Sequence, residues 1–326
     1  GQILEEGINE AGSLAAWMAC ATSYSTNNFV MLPFYIFYSM FGFQRVMDLI
    51  WAAGDAQARG FLLGATAGRT TLNGEGLQHQ DGHSHLMANM VPNCRSYDPA
   101  YAYELAVILQ HGLQQMYQEK QNCFYYITLM NENYPQPEMP IGCVDGIIRG
   151  MYRLEEPRAK AKLKVQLLGS GSILGEVREA AVLLREQFGI DAAVWSVTSV
   201  NQLARDGHAC LRWNMLHPEA EAKVPYVTAQ LDEAAGPVIG ATDYIKAYFD
   251  QLRPFVAGSF TSLGTDGYGR SDTRAKLRSF FEVDRHFIAV AAIKALADEG
   301  AVEMALVGKA LKDFGIKSDR PDPLYS

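Results

Sequence analysis

A chain of 326 residues, 48% of them hydrophobic and 20% charged, carries enough apolar material for two packed cores, so two domains are expected. Its formal charge of -8 excludes a nucleic-acid backbone or an anionic membrane as the main partner, because an acidic surface attracts neither. Five scattered cysteines without a Cys-x-x-Cys pair suggest neither a disulfide framework nor a zinc ribbon; no apolar run approaches the roughly 20 residues of a membrane span, and the chain reads as cytoplasmic.

In chain order, apolar residues recur at helical spacing over 11–20, and the aromatic, β-branched run 29–37 reads as a buried strand. A second helical pattern covers 43–59, 61–63 reads as a short strand, and 73–85, rich in Gly, Asn, His and Asp, reads as a loop. A helix is expected over 101–119 and a strand over 124–130, followed by a polar stretch, 131–140, with three prolines. The domain boundary is placed just beyond it, dividing the chain into 1–150 and 151–326. The second half continues with strand 164–168, helix 175–188, strand 193–197, helix 201–215, strands near Val224 and Val238, and an Ala-rich helical stretch, 284–314. This alternation predicts an α/β fold: two domains with mainly parallel sheets flanked by helices.

Four features invite a chemical reading. The turn Gly169-Ser-Gly171-Ser-Ile-Leu-Gly175 has the strand-to-helix context of a dinucleotide fingerprint. Its spacing is wrong by one, and the next strand ends in Thr198 and Ser199 rather than an acid, so a tight turn is the simpler reading. The segment His79-Gln-Asp-Gly-His83-Ser-His85 gathers three of the seven histidines beside Gly74-Glu75-Gly76. It fits no zinc-binding helix pattern; proton transfer or substrate binding in an active-site loop is preferred to metal. Glu10 opens an apolar helix, where a carboxylate is electrostatically favoured, but the small residues Ala11, Gly12 and Ser13 leave room for a ligand. The run from Phe34 to Phe43 is dense in aromatics, which packing in a central strand would explain. Its end is more telling, since ligands in open α/β sheets bind outside the carboxyl ends of strands, where Tyr38 and Phe41 fall.

Together, Glu10 in Gly-Ile-Asn-Glu-Ala-Gly, Tyr38 and Phe41 in Phe-Tyr-Ser-Met-Phe-Gly-Phe-Gln-Arg, and His79 in Gly-Glu-Gly-Leu-Gln-His resemble the thiamin-diphosphate enzymes of the transketolase type, more narrowly the homodimeric bacterial pyruvate dehydrogenases. Further matches lie in Gly-Arg-Thr-Thr-Leu-Asn-Gly (68–74), Asp-Gly-His-Ser-His (81–85), Ala-Arg-Asp-Gly (204–207), Arg-Trp-Asn-Met-Leu-His-Pro (212–218) and Gly-Thr-Asp-Gly-Tyr-Gly-Arg-Ser-Asp (264–272). The resemblance runs through essentially the whole chain. It implies that 1–150 is a pyrimidine-binding domain lacking its front and that 151–326 is a C-terminal domain of the transketolase kind. The diphosphate-binding signature Gly-Asp-Gly is absent, and the start, without an initiator Met, reads as cut.

By the same resemblance, Glu10 would hydrogen-bond a ring nitrogen of the aminopyrimidine and promote the tautomer that takes the proton from the thiazolium carbon. Phe41 would stack on the pyrimidine, and Tyr38 and His79 would surround the substrate, with His83 and His85 assisting. The implied cofactors are thiamin diphosphate and magnesium, whose ligands would lie in an upstream domain. The implied partners are pyruvate, a lipoyl-bearing dihydrolipoyl acetyltransferase and a second copy of the chain. Rival readings are a ketol transferase such as transketolase, a non-catalytic dimerisation or docking module, and a metal-dependent hydrolase built on His79, His83 and His85.

Overall fold

A computed structural model describes residues 2–158, 160–232 and 235–326, and among them two sheets organise the chain. The first contains β1 (Phe34–Phe37), β2 (Phe61–Ala65), β3 (Cys94–Tyr97) and β4 (Phe124–Leu129), all parallel in the order β1-β2-β4-β3. The second contains β5 (Met151–Glu155), β6 (Leu163–Gly169), β7 (Ile190–Val197), β8 (Val238–Ala241) and β9 (Phe260–Leu263) in the order β5-β7-β6-β8-β9. Only β5 runs antiparallel to its neighbour. The expected α/β architecture with mainly parallel sheets is what the chain adopts.

The central strands β4 and β7 are mostly apolar and are buried without alternation because helices cover both faces of their sheets. In the first sheet, Phe61, Phe124 and Ile127 pack with Leu14 and Trp17 of the helix Glu10–Ala21 and with Phe43 and Ile50 of the helix Ser39–Asp55. In the second, Val165 and Leu167 pack with the helices Ile173–Phe188 and Arg285–Asp298, while Trp195 and Leu168 face Leu203, Phe249 and Phe255.

Four expectations need correction. The run 29–37 is not a buried strand: only Phe34–Phe37 is extended in the sheet, among the described residues it pairs with β2 alone, and Phe29, Val30, Leu32 and Ile36 are exposed. An edge position leaves one side of the strand unpaired, so apolar density there marks a face rather than a core. The loop 73–85 contains a 3-10 turn, Leu77–His79, and leads into an unforeseen helix, Ser84–Met90. Val224 lies outside any strand, just ahead of the helix Tyr226–Asp232. The stretch 284–314 is two helices, Arg285–Asp298 and Met304–Asp313, separated where Gly300 takes φ +73°.

Candidate active site

The side chain of Asn9 caps the helix Glu10–Ala21 by accepting from Gly12 N at 3.0 Å, which fixes Glu10 in the first turn. Its carboxylate accepts a 2.8 Å bond from Arg45 Nη1, and the Glu10 side chain keeps 17% exposure. The Arg45 guanidinium also lies 4.1 Å from the Phe41 ring centroid, because residues four apart on the helix Ser39–Asp55 share a face. A carboxylate edge and an aromatic face thus hold one flat, charged donor between them.

Tyr38 leaves the carboxyl end of β1 and precedes that helix, with Phe41 in its first turn. His79, at the end of the 3-10 turn, meets both: its ring centroid lies 5.4 Å from that of Tyr38, and 5.3 Å from that of Phe41 in an edge-on contact. Glu75 Oε2 lies 3.3 Å from His79 Nδ1. Glu10, Arg45, Phe41, His79 and Tyr38 therefore form one continuous cluster.

The other two histidines go elsewhere. His83 contacts the side-chain amide of Gln44, and His85 has no exposed surface. His85 Nε2 lies 3.0 Å from Thr128 Oγ1, which donates to Asp98 Oδ1 at 2.6 Å; Tyr244 OH donates to the same oxygen at 3.2 Å. Burial drives the His85 imidazole down to about 4, against a partial lift from Asp81, and drives the Asp98 carboxyl up to about 7. Both are therefore neutral over a band of mildly acidic pH. Among the described residues, no three His, Cys, Asp or Glu side chains are grouped to hold a metal ion, and no helix is long and apolar enough to cross a membrane.

The second sheet holds the loop that presents His79. Asp243, just after β8, accepts from Thr70 N and Oγ1 through Oδ1 at 2.9 and 2.6 Å, and from Thr71 N and Oγ1 through Oδ2 at 3.0 and 2.6 Å. Gly68, at φ +88°, lies so close to Asp243 Oδ2 that no side chain fits there. Arg69 donates to the carbonyls of Thr265 and Gly267, and Ile245 N donates to Gly82 O at 2.8 Å. Arg205 closes the far end by donating to Cys94 O, Asn89 O and Val91 O. Single residues of the sequence do not mark these; the short motifs 68–74, 204–207 and 264–272 contain Gly68, Arg69, Thr70, Thr71, Arg205, Thr265 and Gly267, whereas Asp243 and Ile245 lie in none of them.

The glycine turn 169–175 borders a cavity of about 450 Å³. Gly171 N donates to Asp98 O, and Arg178, Arg278 and Arg285 around the cavity are ion-paired with Glu155, Glu132 and Glu176. No free cation is therefore offered to a phosphate by these three arginines.

The family described as pyruvate dehydrogenase E1 component middle domain matches residues 1–137, and the transketolase-like C-terminal domain matches residues 150–284. The pyruvate dehydrogenase E1 component of Pseudomonas aeruginosa is 62% identical over 325 residues, spanning 99% of this chain and 37% of that protein. That of Escherichia coli K12 is 57% identical, spanning 99% of this chain and 36% of that protein. The chain belongs to the pyruvate dehydrogenase E1 family. It spans little more than a third of the length of these E1 relatives. Among solved structures, a Campylobacter jejuni transketolase superposes with a TM-score of 0.67 at 20% identity, covering 90% of this chain and 40% of that one. A split-gene transketolase described as an inactive beta4 tetramer superposes with a TM-score of 0.63 at 17% identity, covering 89% of this chain and 82% of that one. At such identities these two likenesses show the shared fold, and the E1 relatives carry the family.

Proposed function

We propose that this chain supplies the pyrimidine side of a thiamin-diphosphate site in an E1 polypeptide that decarboxylates pyruvate and passes the acetyl group to a lipoyl group on a dihydrolipoyl acetyltransferase. The observation that carries the reading is the Arg45 guanidinium, held at its edge by Glu10 and on its face by Phe41. An aminopyrimidine is also flat and presents ring-edge donors, so these two groups suit it. Arg45 is half exposed on a flexible stem and free to swing aside for such a ring. When bound, thiamin diphosphate supplies the electron sink that lets carbon dioxide leave a 2-oxo acid.

The chain's own residues would do the rest. Glu10 would hold a proton at the pyrimidine edge, Phe41 would fix the ring plane, and Tyr38 and His79 would direct donors at the oxygen that gains charge on the substrate. Residues 1–150 act as the partial pyrimidine domain, and 151–326 as a C-terminal domain that braces it. The diphosphate and its magnesium would be bound by residues outside this chain, in the cytoplasm, in a homodimer.

In the full-length polypeptide, Glu10→Gln and Glu10→Ala should abolish pyruvate decarboxylation while thermal unfolding stays within a few degrees of wild type; near-normal turnover in either variant refutes the role. The chain mixed alone with thiamin diphosphate, magnesium and pyruvate should release no carbon dioxide. A second reading, self-association of this span as a separate subunit, is supported by the exposed apolar run 29–36 and by the split-gene tetramer, which matches the chain over most of its own length.

A further inference from the structure

The imidazole of His79 stands on a turn of only three residues, Leu77–His79, and its neighbour Gln80 has no exposed surface. The Gln80 amide is used at both ends. Its Nε2 donates to Leu72 O at 2.7 Å, which draws the loop 72–80 closed, and its Oε1 accepts from Arg270 N at 2.6 Å. Arg270 belongs to the loop that follows β9 in the second sheet. Gly269 of that loop presses its backbone on the turn: a Cβ there would lie 2.6 Å from Leu77 O and 2.8 Å from Gln80 Oε1. Two neighbouring ties, Gly74 N to Asp272 O at 3.2 Å and Arg69 Nη1 to Thr265 O at 2.6 Å, keep the two loops in one register.

We infer that Gln80 is a positioning residue for His79, through which the loop 264–272 sets where the imidazole stands against Tyr38 and Phe41. A buried amide bonded at both ends has one orientation, and the peptide it is attached to inherits that orientation. The 3-10 turn has few other restraints: His79 N donates to Gly76 O at 3.0 Å and Gln80 N to Leu77 O at 3.3 Å, both within the turn itself. The inference rests on the reading of His79 as part of the site, but its test needs neither cofactor nor turnover, so its failure is separate from the failure of that reading.

The test is ring proton and carbon NMR of His79 in the chain, assigned by loss of the signal in His79→Gln. Because the Phe41 and Tyr38 rings flank His79, its signals carry ring-current displacements, whereas those of the buried His85 report the integrity of the fold. Gln80→Met keeps the side-chain length without either bond. Gln80→Glu keeps the acceptor for Arg270 N and loses the donor to Leu72 O. The expected result is that the His79 displacement is lost in Gln80→Met and retained in Gln80→Glu, with His85 unchanged in both. Gly269→Ala, which forces the loop off the Leu77 carbonyl, should also erase the displacement and stands in if Gln80→Met fails to fold. An undisturbed His79 signal in Gln80→Met, or in Gly269→Ala, overturns the inference. Equal loss in Gln80→Glu overturns the part played by Arg270, since the bond to Leu72 O would then be the one that matters.

Discussion

His85 and Asp98 share Thr128 between them in a site with no exposed surface, faced also by Tyr126, Tyr244, Tyr248, Asp81 and Asp243, and their titrations pull stability in opposite directions. An unfolded histidine takes its proton near 6.5, whereas His85 resists protonation down to about 4, so its contribution is fully present above 6.5 and is lost as pH falls through that window. Asp98 keeps its proton up to about 7, well above an unfolded aspartate, so its contribution is fully present at low pH and is lost as pH rises toward 7. Between about 4 and 6.5 the two slopes offset each other. Substituting one member should uncover the other. Relative to wild type, His85→Gln should lose stability as pH rises from 4 to 6.5, and Asp98→Asn should gain it as pH rises from 4 to 7, each by up to about 1.4 kcal/mol per pH unit. Urea denaturation at three pH values across the window measures both slopes. Two variants that track the wild-type curve would mean the pair is not neutral in the folded chain.

Between elements, the decisive contact is the carboxylate of Asp243, which serves four donors of Thr70 and Thr71 from the turn after β8. Asp243→Ala strands two buried backbone N–H groups, each at a cost of about 1–3 kcal/mol, so a total loss of roughly 2–6 kcal/mol is expected. Asp243→Asn, which keeps one acceptor oxygen, should lose less. A denaturation midpoint for Asp243→Ala close to wild type would show that water replaces the carboxylate. This clamp also marks the limit of what the sequence discloses. The helices 11–20 and 43–59 and the strands 124–130 and 193–197 were legible because their apolar periods are long and local. β3 and β5 were not: Cys94–Tyr97 and Met151–Glu155 are short and carry Arg95, Arg153 and Glu155 among their apolar residues, and only their neighbours make them strands. In the candidate site, Glu10, Tyr38, Phe41 and His79 were found through the resemblance. Arg45 escaped notice because an arginine on a helix has an ordinary surface reading, and Gln80 and Asp243 because a buried polar partner leaves no periodic trace.

On the scale of the whole molecule, the first sheet ends at β1 with one edge unpaired among the described residues; the run leading into it exposes Phe29 by 64% and Val30 by 60%, and the strand itself exposes Ile36 by 64%. An apolar strand edge in water is a template for another chain, and this one ends at Tyr38, a member of the candidate site. The same surface that leaves the sheet incomplete thus borders the residues proposed to hold the cofactor, and whatever covers it lies beside that site. In the absence of other polypeptide, self-association is the available cover. Sedimentation velocity on the purified chain should show a species larger than the monomer whose share grows with concentration. Val30→Lys combined with Ile36→Lys should return it to the monomer. Because both side chains are mostly exposed, the double variant should change monomer stability little, within about 0.5 kcal/mol per site, so a loss of association can be read as a loss of contact rather than of fold. Association unaffected by the two lysines would place the contact elsewhere, and the apolar edge would then have to be tolerated in water.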